Sequence, residues 1–316
     1  MLKTAMKAAL LLTVLALLMI LIPSAIPLAG AEGVLPRYSP VMLWAQSASP
    51  IDYQSATPYA PHKDCYLEDQ SGYIDDTISV YIETFRAYDT TIQATWVQIA
   101  SPTQLRAALN RPYPSKELNT ADRIARRENA VLAINGDYFI YINTGYNMRN
   151  GKLLLDKPNK AYDTLIIDEA GDLHIIQATT REALDAYFAS GGTAVHTFTF
   201  GPGLVVDGVK ADIAFDKQKA TEKETQRMGI GQMDTLSYLI LTTEGPENAG
   251  STGLTLDEFA QLFSDMGARN AYNLDGGSSS SLVLDGQKIN ALSTHKNRVI
   301  GDIIYFVTAM PEGGAN

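Results

Sequence analysis

Five segments of this 316-residue chain place glycines beside Asn, Asp, Glu, Arg or Ser at the ends of apolar runs. They are Ile134-Asn-Gly-Asp-Tyr-Phe139, Phe200-Gly-Pro-Gly203, Arg227-Met-Gly-Ile-Gly231, Thr243-Glu-Gly245 and Asn273-Leu-Asp-Gly-Gly-Ser-Ser279. A glycine after a strand lets the backbone turn sharply and come close to a ligand. Paired glycines also aim backbone N–H groups at an anion. With Asn, Asp and Ser added, such strand ends form an oxygen-rich site suited to a sugar hydroxyl, a phosphate or a hard cation. Taken singly, each segment reads as a turn, because Asn-Gly and Asp-Gly are common turn dipeptides. Five in one chain read as a site.

Other chemistries fail on spacing. Gly203 and Gly208 stand at P-loop distance, but Val209 occupies the lysine position and a hairpin fits better. Gly229-Ile-Gly231 lacks the third glycine of a dinucleotide fingerprint, and Ser278–Ser281 lacks the glycine that follows a nucleophile elbow. The four histidines, His62, His174, His196 and His295, are not spaced as ligands, and Cys65 is the one cysteine. A disulfide within the chain is excluded, a structural zinc site is disfavoured, and no metal-ligand set is assigned. Against 25 basic residues the chain carries 35 acidic ones, a formal charge of −10. That balance excludes nucleic acid as the natural partner, since a phosphate backbone calls for a basic stripe.

The elements that must position these residues are mostly strands. Ile78–Phe85 and Ile92–Ile99 are β-branched and aromatic, and Ala130–Ile134 is a short apolar run of the kind buried on both faces. Further strands are predicted at 164–167, 173–176, 195–200, 204–206, 236–242, 270–274, 281–284 and 302–308, with hairpin turns at Asp207-Gly208 and Asp285-Gly286. Helices are predicted at 102–109, 120–128 and 256–266. The last has Thr255 as N-cap, Glu258 completing a capping box, and Leu256, Phe259, Ala260, Phe263 and Met266 on one face. The expected fold is α+β, a single domain over 76–310 with a central mixed β-sheet flanked by a few helices.

Ahead of that domain, Met1–Ala31 reads as a secretory signal. Lys3 and Lys7 form its positive end, the 15 residues Ala8–Ile22 form an apolar run without a charge, Pro23 breaks the run, and Ala29-Gly-Ala31 offers a cleavage site. The apolar run is short of the ~20 residues that span a bilayer. An export signal is therefore expected, with membrane association only if the segment is left uncleaved. Without its two lysines the remaining chain carries −12. Residues 32–75, with Pro36, Pro40, Pro50, Pro58 and Pro61, read as a linker or loosely ordered arm.

The string Ala271-Tyr-Asn-Leu-Asp-Gly-Gly-Ser-Ser-Ser280 resembles the signature of the phosphodiester glycosidase family. The resemblance runs from about Ile74 to Val307 and keeps the family's order of motifs. These are the Asn135-Gly segment, the Gly201-Pro hairpin, the Arg227-x-Gly-x-Gly strand, the Gly253-Leu-Thr-Leu helix start, the Asn273 signature, and Arg298 before the last strand. Three departures stand out. Asp137 occupies a position where Gly is frequent, Ser278 replaces the third Gly of a triple-Gly stretch, and Glu244-Gly-Pro246 replaces an Asp-Gly-Arg-like segment.

The resemblance implies an exported hydrolase that cuts a sugar-1-phosphodiester at the anomeric C–O bond, in cell-envelope or extracellular glycans. A phosphomonoester leaves as a stable anion, so a general acid is less necessary than for an ordinary glycoside. The site then needs a cation for the phosphate and a carboxylate to activate water or to stabilise an oxocarbenium ion. On this basis Arg227 is assigned to the phosphate, and Asp275 is the base or cation stabiliser with Glu244 second. Asn135, Gly136, Asp137, Gly276, Gly277, Ser279 and Arg298 are assigned to substrate binding. No cofactor is required, a divalent cation being the one left open. Two other classes compete: a metal-dependent phosphodiesterase using Asp137, Glu244 and Asp275, and a non-catalytic glycan-binding protein of exopolysaccharide biosynthesis.

Overall fold

The computed structural model describes Leu35 and residues 57–214, 221–293 and 296–311. The expected signal at 1–31 lies outside the described residues, as does the expected arm up to residue 56 apart from Leu35. Among the described residues no helix is long and apolar enough to cross a membrane.

The fold is richer in strand than an even α+β balance, with 16% of the described residues in helix and 40% in strand, in a single domain. In place of one mixed sheet, three larger antiparallel sheets form. The first has eight strands, in the order 72–74, 78–87, 90–99, 237–243, 228–234, 270–273, 203–206 and 209–210. The second orders 173–176, 163–167, 196–200, 145–149 and 152–157, and the third orders 287–288, 282–284, 132–135, 302–306 and 105–109. Every recorded pairing is antiparallel. Short hairpins set the local pairs antiparallel, as 78–87 with 90–99 and 228–234 with 237–243, and the remaining neighbours are distant in the chain, as 132–135 with 302–306.

The central strand Ser237–Thr243 shows how the sequence builds this. All seven of its residues are buried, and its side chains alternate between two cores. Tyr238 and Ile240 join the large core where the three sheets meet, with Val97, Ile230, Phe198 and Ile134. Leu239 and Leu241 face the opposite way, onto helix Leu256–Asp265. Two faces buried by a period of two give the continuous apolar run seen in the sequence.

Helix Leu256–Asp265 carries the capping box read from the sequence. The Glu258 N–H donates to Thr255 Oγ1 at 3.2 Å, and the Thr255 N–H donates to Glu258 Oε2 at 2.9 Å. Its Phe259 and Phe263 rings pack against Gly229 and Gly231, where a Cβ would stand 2.9–3.0 Å from ring carbons. These two glycines therefore serve helix packing rather than ligand approach. The sheet begins at Gly72, inside the segment read as an arm.

The helix expected over 102–109 is a correction. One 3-10 turn, Pro102–Gln104, is capped by Ser101, and Leu105–Leu109 then pairs with Asp302–Phe306. Ser101 and Gln104 form a capping box, but sheet pairing overrides the helix propensity of Leu and Ala beyond it.

Candidate active site

Strand ends from all three sheets meet at Asp275. Strand Asn270–Asn273 of the first sheet runs opposite Gly229–Gln232, and Leu274 plugs the core with no exposure. Asp275 follows, and then a 3-10 turn, Gly277–Ser279. Close approach requires the first glycine of the pair, and a φ of +56° favours the second. A Cβ on Gly276 would stand 2.8 Å from the Gln226 carbonyl oxygen, and the Gly277 N–H donates to that same oxygen at 2.8 Å.

Asn135 ends strand Leu132–Asn135 of the third sheet and is 1% exposed. Its Nδ2 donates to the Asp275 carbonyl at 2.7 Å, and its Oδ1 accepts the Ser281 N–H at 2.9 Å. The side chain thereby ties two strand ends together, which positions Asp275 instead of facing a ligand.

The Asp275 carboxyl lines a chamber of about 210 Å³ with Asp137, Tyr138, Tyr141, Ser279 and Arg298. Burial pushes its pKa above the ordinary carboxylate value; a Ser279 hydrogen bond and the Arg298 charge act the other way, and the Asp137 charge adds to the rise. Arg298 is exposed, and its Nη1 donates to Ser278 Oγ at 2.8 Å. Tyr138 and Tyr141 stack with ring centroids 4.6 Å apart.

Behind this chamber lies a fully buried ion cluster. Asp137 Oδ2 accepts the Thr199 N–H at 2.7 Å, and its Oδ1 accepts from the Phe139 N–H at 3.2 Å and from Arg149 Nη2 at 3.1 Å. Arg149 also donates to Asp302 Oδ2, from Nη2 at 2.6 Å and from Nε at 3.2 Å. The guanidinium lies 3.9 Å from the Phe198 ring centroid. Gly136 gives this cluster its room, since a Cβ there would stand 2.6 Å from the Asp302 carboxylate. One guanidinium serves two carboxyls out of water, so burial raises both pKa values, that of Asp302 to about 7. Arg149 and Asp302 were not among the residues read from the sequence. The available signal was a lone charge in each of two otherwise uncharged strands, Gly145–Arg149 and Asp302–Phe306.

A larger chamber of about 470 Å³ adjoins the same Leu274–Gly277 segment. Its walls include Lys160, Tyr162, Phe200, Arg227, Asn273 and Gly276. Arg227 is buried, with Nε donating to the Leu254 carbonyl at 2.9 Å and Nη2 to the Lys223 carbonyl at 2.6 Å. Burial lowers its pKa to about 10, which leaves it a cation at neutral pH. Asn273 Nδ2 donates to the Gly201 carbonyl at 2.8 Å, while its buried Oδ1 has no partner among the described residues.

Glu244 stands elsewhere. It accepts the Ser251 hydroxyl at 2.7 Å and lines a third cavity, sharing neither chamber with Asp275. Asp137, Glu244 and Asp275 are thus not brought together. Among the described residues no group of three or more His, Cys, Asp or Glu is arranged to hold a metal ion.

Comparison with known proteins bears on this geometry. The chain is 27% identical over 186 residues to the SPbeta prophage-derived uncharacterized protein YomE of Bacillus subtilis strain 168, and it spans 28% of that protein's length. Its fold is similar to the catalytic domain of zebrafish N-acetylglucosamine-1-phosphodiester alpha-N-acetylglucosaminidase, auto-inhibited by its pro-peptide. There the TM-score is 0.58 at 15% identity, covering 91% of this chain and 98% of that one. A hypothetical protein from Synechocystis aligns with a TM-score of 0.55 at 17% identity, over 74% of this chain and 62% of the other. The profile of the phosphodiester glycosidase family matches residues 128–307, a stretch that holds the Asn135, Arg227, Asp275 and Arg298 motifs in order. With more than half of its length so matched, the chain belongs to the phosphodiester glycosidase family.

Proposed function

We propose that the protein is an exported hydrolase that cleaves a sugar-1-phosphodiester at the anomeric C–O bond, acting on cell-envelope or extracellular glycans. The observation that carries this reading is the Asp275 strand end, set between a chamber that holds its carboxyl with Arg298 and one walled by Arg227 and Lys160. A carboxylate flanked on both sides by cations suits a substrate whose reacting carbon is joined to a phosphate.

The chemistry follows from the charges. As the C–O bond lengthens, negative charge grows on the phosphate and positive charge on the sugar ring. Arg227, Lys160 and Arg298 stabilise the former, and Asp275 the latter. A carboxyl whose pKa is raised by burial also sits nearer to neutral pH, where it is most effective in taking a proton from the attacking water. The water oxygen ends on the anomeric carbon, its protons go to Asp275 and the sugar hydroxyl, and the phosphomonoester departs as an anion. The Tyr138–Tyr141 pair offers an aromatic wall for a sugar ring.

Hydrolysis of a panel of sugar-1-phosphodiesters in ¹⁸O-labelled water tests this directly. The expected products are a free sugar carrying the label and an unlabelled phosphomonoester. Label in the phosphate would mean P–O cleavage and a phosphodiesterase. Binding without turnover across the panel would mean a glycan-binding protein.

A further inference from the structure

The cavity that holds Glu244 is separate from both chambers at Asp275, and at about 390 Å³ it falls within the size range of small-molecule sites. Strands 78–87, 90–99 and 237–243 supply one side of it, and Ile289, Asn290 and Ala291 the other. Its walls are built into the fold. The Asn290 amide is held by the Leu282 N–H at 2.7 Å and by the Ser280 carbonyl at 3.1 Å. The segment Gln226–Arg227 is bonded to this cavity's walls, through Gln226 Nε2 to the Ala291 carbonyl at 3.1 Å and the Arg227 N–H to Thr243 Oγ1 at 2.8 Å.

Three side chains face the cavity with hydrogen-bonding capacity to spare. The Thr84 hydroxyl and the Gln93 amide make no hydrogen bond among the described residues, and one Glu244 oxygen is left over once Ser251 has taken the other. A hydroxyl, an amide and a carboxylate together both donate and accept, which is what a ring of sugar hydroxyls demands. Ile289 adds an apolar surface for a C–H face. Glu244 is the cavity's one ionisable lining group, so an anionic ligand would meet its charge, while the one guanidinium bonded to a lining side chain, that of Arg86, is held at the rim by Thr91 Oγ1 at 3.3 Å.

We infer that this cavity is a second carbohydrate subsite, taking an uncharged sugar unit through Thr84, Gln93 and Glu244. The inference concerns binding and does not depend on the reaction at Asp275.

The test is a titration of the full chain with methyl α-glucoside, N-acetylglucosamine and glucuronate, read by backbone amide shifts. The two neutral sugars should move Thr84, Thr91, Gln93 and Thr243 saturably, and glucuronate should bind about tenfold more weakly or not at all. Gln93→Leu should weaken the neutral sugars by about tenfold, the equivalent of one lost hydrogen bond. Thr84→Val is the second variant, and it decides the matter if Gln93→Leu lowers the melting temperature. Shifts confined to residues around Asp275, glucuronate binding as tightly as glucoside, or unchanged affinity in a folded variant would each overturn the proposal. Loss of hydrolysis on the sugar-phosphodiester panel, with these shifts intact, would count against the reaction at Asp275 and leave the subsite standing.

Discussion

Asn135 and Asp275, 140 residues apart in the chain, are joined by a single hydrogen bond of 2.7 Å from the buried amide of the first to the backbone carbonyl of the second. Because Asn135 also accepts the Ser281 N–H, it grips the signature loop on both sides of its double glycine. The carboxylate at the proposed reacting centre is thus set by a side chain that never has to touch a substrate.

Replacing Asn135 with Ala should therefore damage both stability and turnover. The Ser281 N–H and the Asp275 carbonyl would lose their partners, at roughly 1–3 kcal/mol for each buried group left unsatisfied. Released from its anchor, the Asp275 carboxyl would lose orientation, and kcat on a sugar-1-phosphodiester should fall by about tenfold or more. Thermal unfolding with steady-state kinetics checks this, and a normal melting temperature beside normal kcat would rule it out.

Asp275→Asn makes the complementary case. The side chain lines a chamber and contributes nothing to the apolar core, whose local plug is Leu274. Activity should be abolished, while the melting temperature stays level or rises, since a half-buried carboxylate is relieved of its desolvation cost. An active, folded Asn variant would reduce Asp275 to a turn residue.

The shared guanidinium of Arg149 predicts a pH dependence of stability. In the unfolded chain Asp302 titrates near ~3.9, whereas burial raises it to about 7 in the fold. Between these values the native state holds a proton that the unfolded state has released. Its contribution is complete below about pH 4 and is lost as pH rises towards about 7. Asp302→Asn removes this titration. The melting-temperature gap between wild type and variant should move in the variant's favour across that window, and a gap independent of pH would show that Asp302 stays ionised.

The strands of the sheets were legible because burial on two faces writes itself as an apolar run, as in Ser237–Thr243, and the capping box at Thr255 marked its helix to within a residue. The hairpin Gly145–Arg149 to Lys152–Lys157 was overlooked although its turn, Asn150-Gly151, has both residues at positive φ and is a strong hairpin signal. Helix Arg181–Ala189 likewise had its cap in plain view at Thr180. The site was legible only in part. Asp275, its glycines and Asn135 stand in local motifs. The Arg149–Asp302 pairing spans 153 residues and joins two sheets, so the lone charge in each strand does not say which partner it meets. The placing of Glu244 away from Asp275 is likewise a consequence of sheet order, since the strand before it lies next to Thr90–Ile99 and it lines the cavity between that sheet and Ile289, Asn290 and Ala291.

Arg227 offers the sharpest division between structural and chemical roles. Two of its nitrogens hold the Leu254 and Lys223 carbonyls, and its side chain also lines the large chamber beside Gly276. Arg227→Lys keeps a charge but not the planar fork, so it cannot hold two carbonyls and a phosphate oxygen in one geometry. The backbone bonds predict a lower melting temperature. The phosphate contact predicts a further loss, specific to the substrate: one charge-assisted hydrogen bond of ~1.5–3 kcal/mol, or about tenfold to a hundredfold in kcat/KM on a sugar-1-phosphodiester. An aryl glycoside of the same sugar carries no phosphate and should lose much less. Both substrates measured on the same folded preparation separate the two effects. Equal losses on the two would leave Arg227 with its carbonyls alone, and the phosphate would have to be held by Lys160 or Arg298.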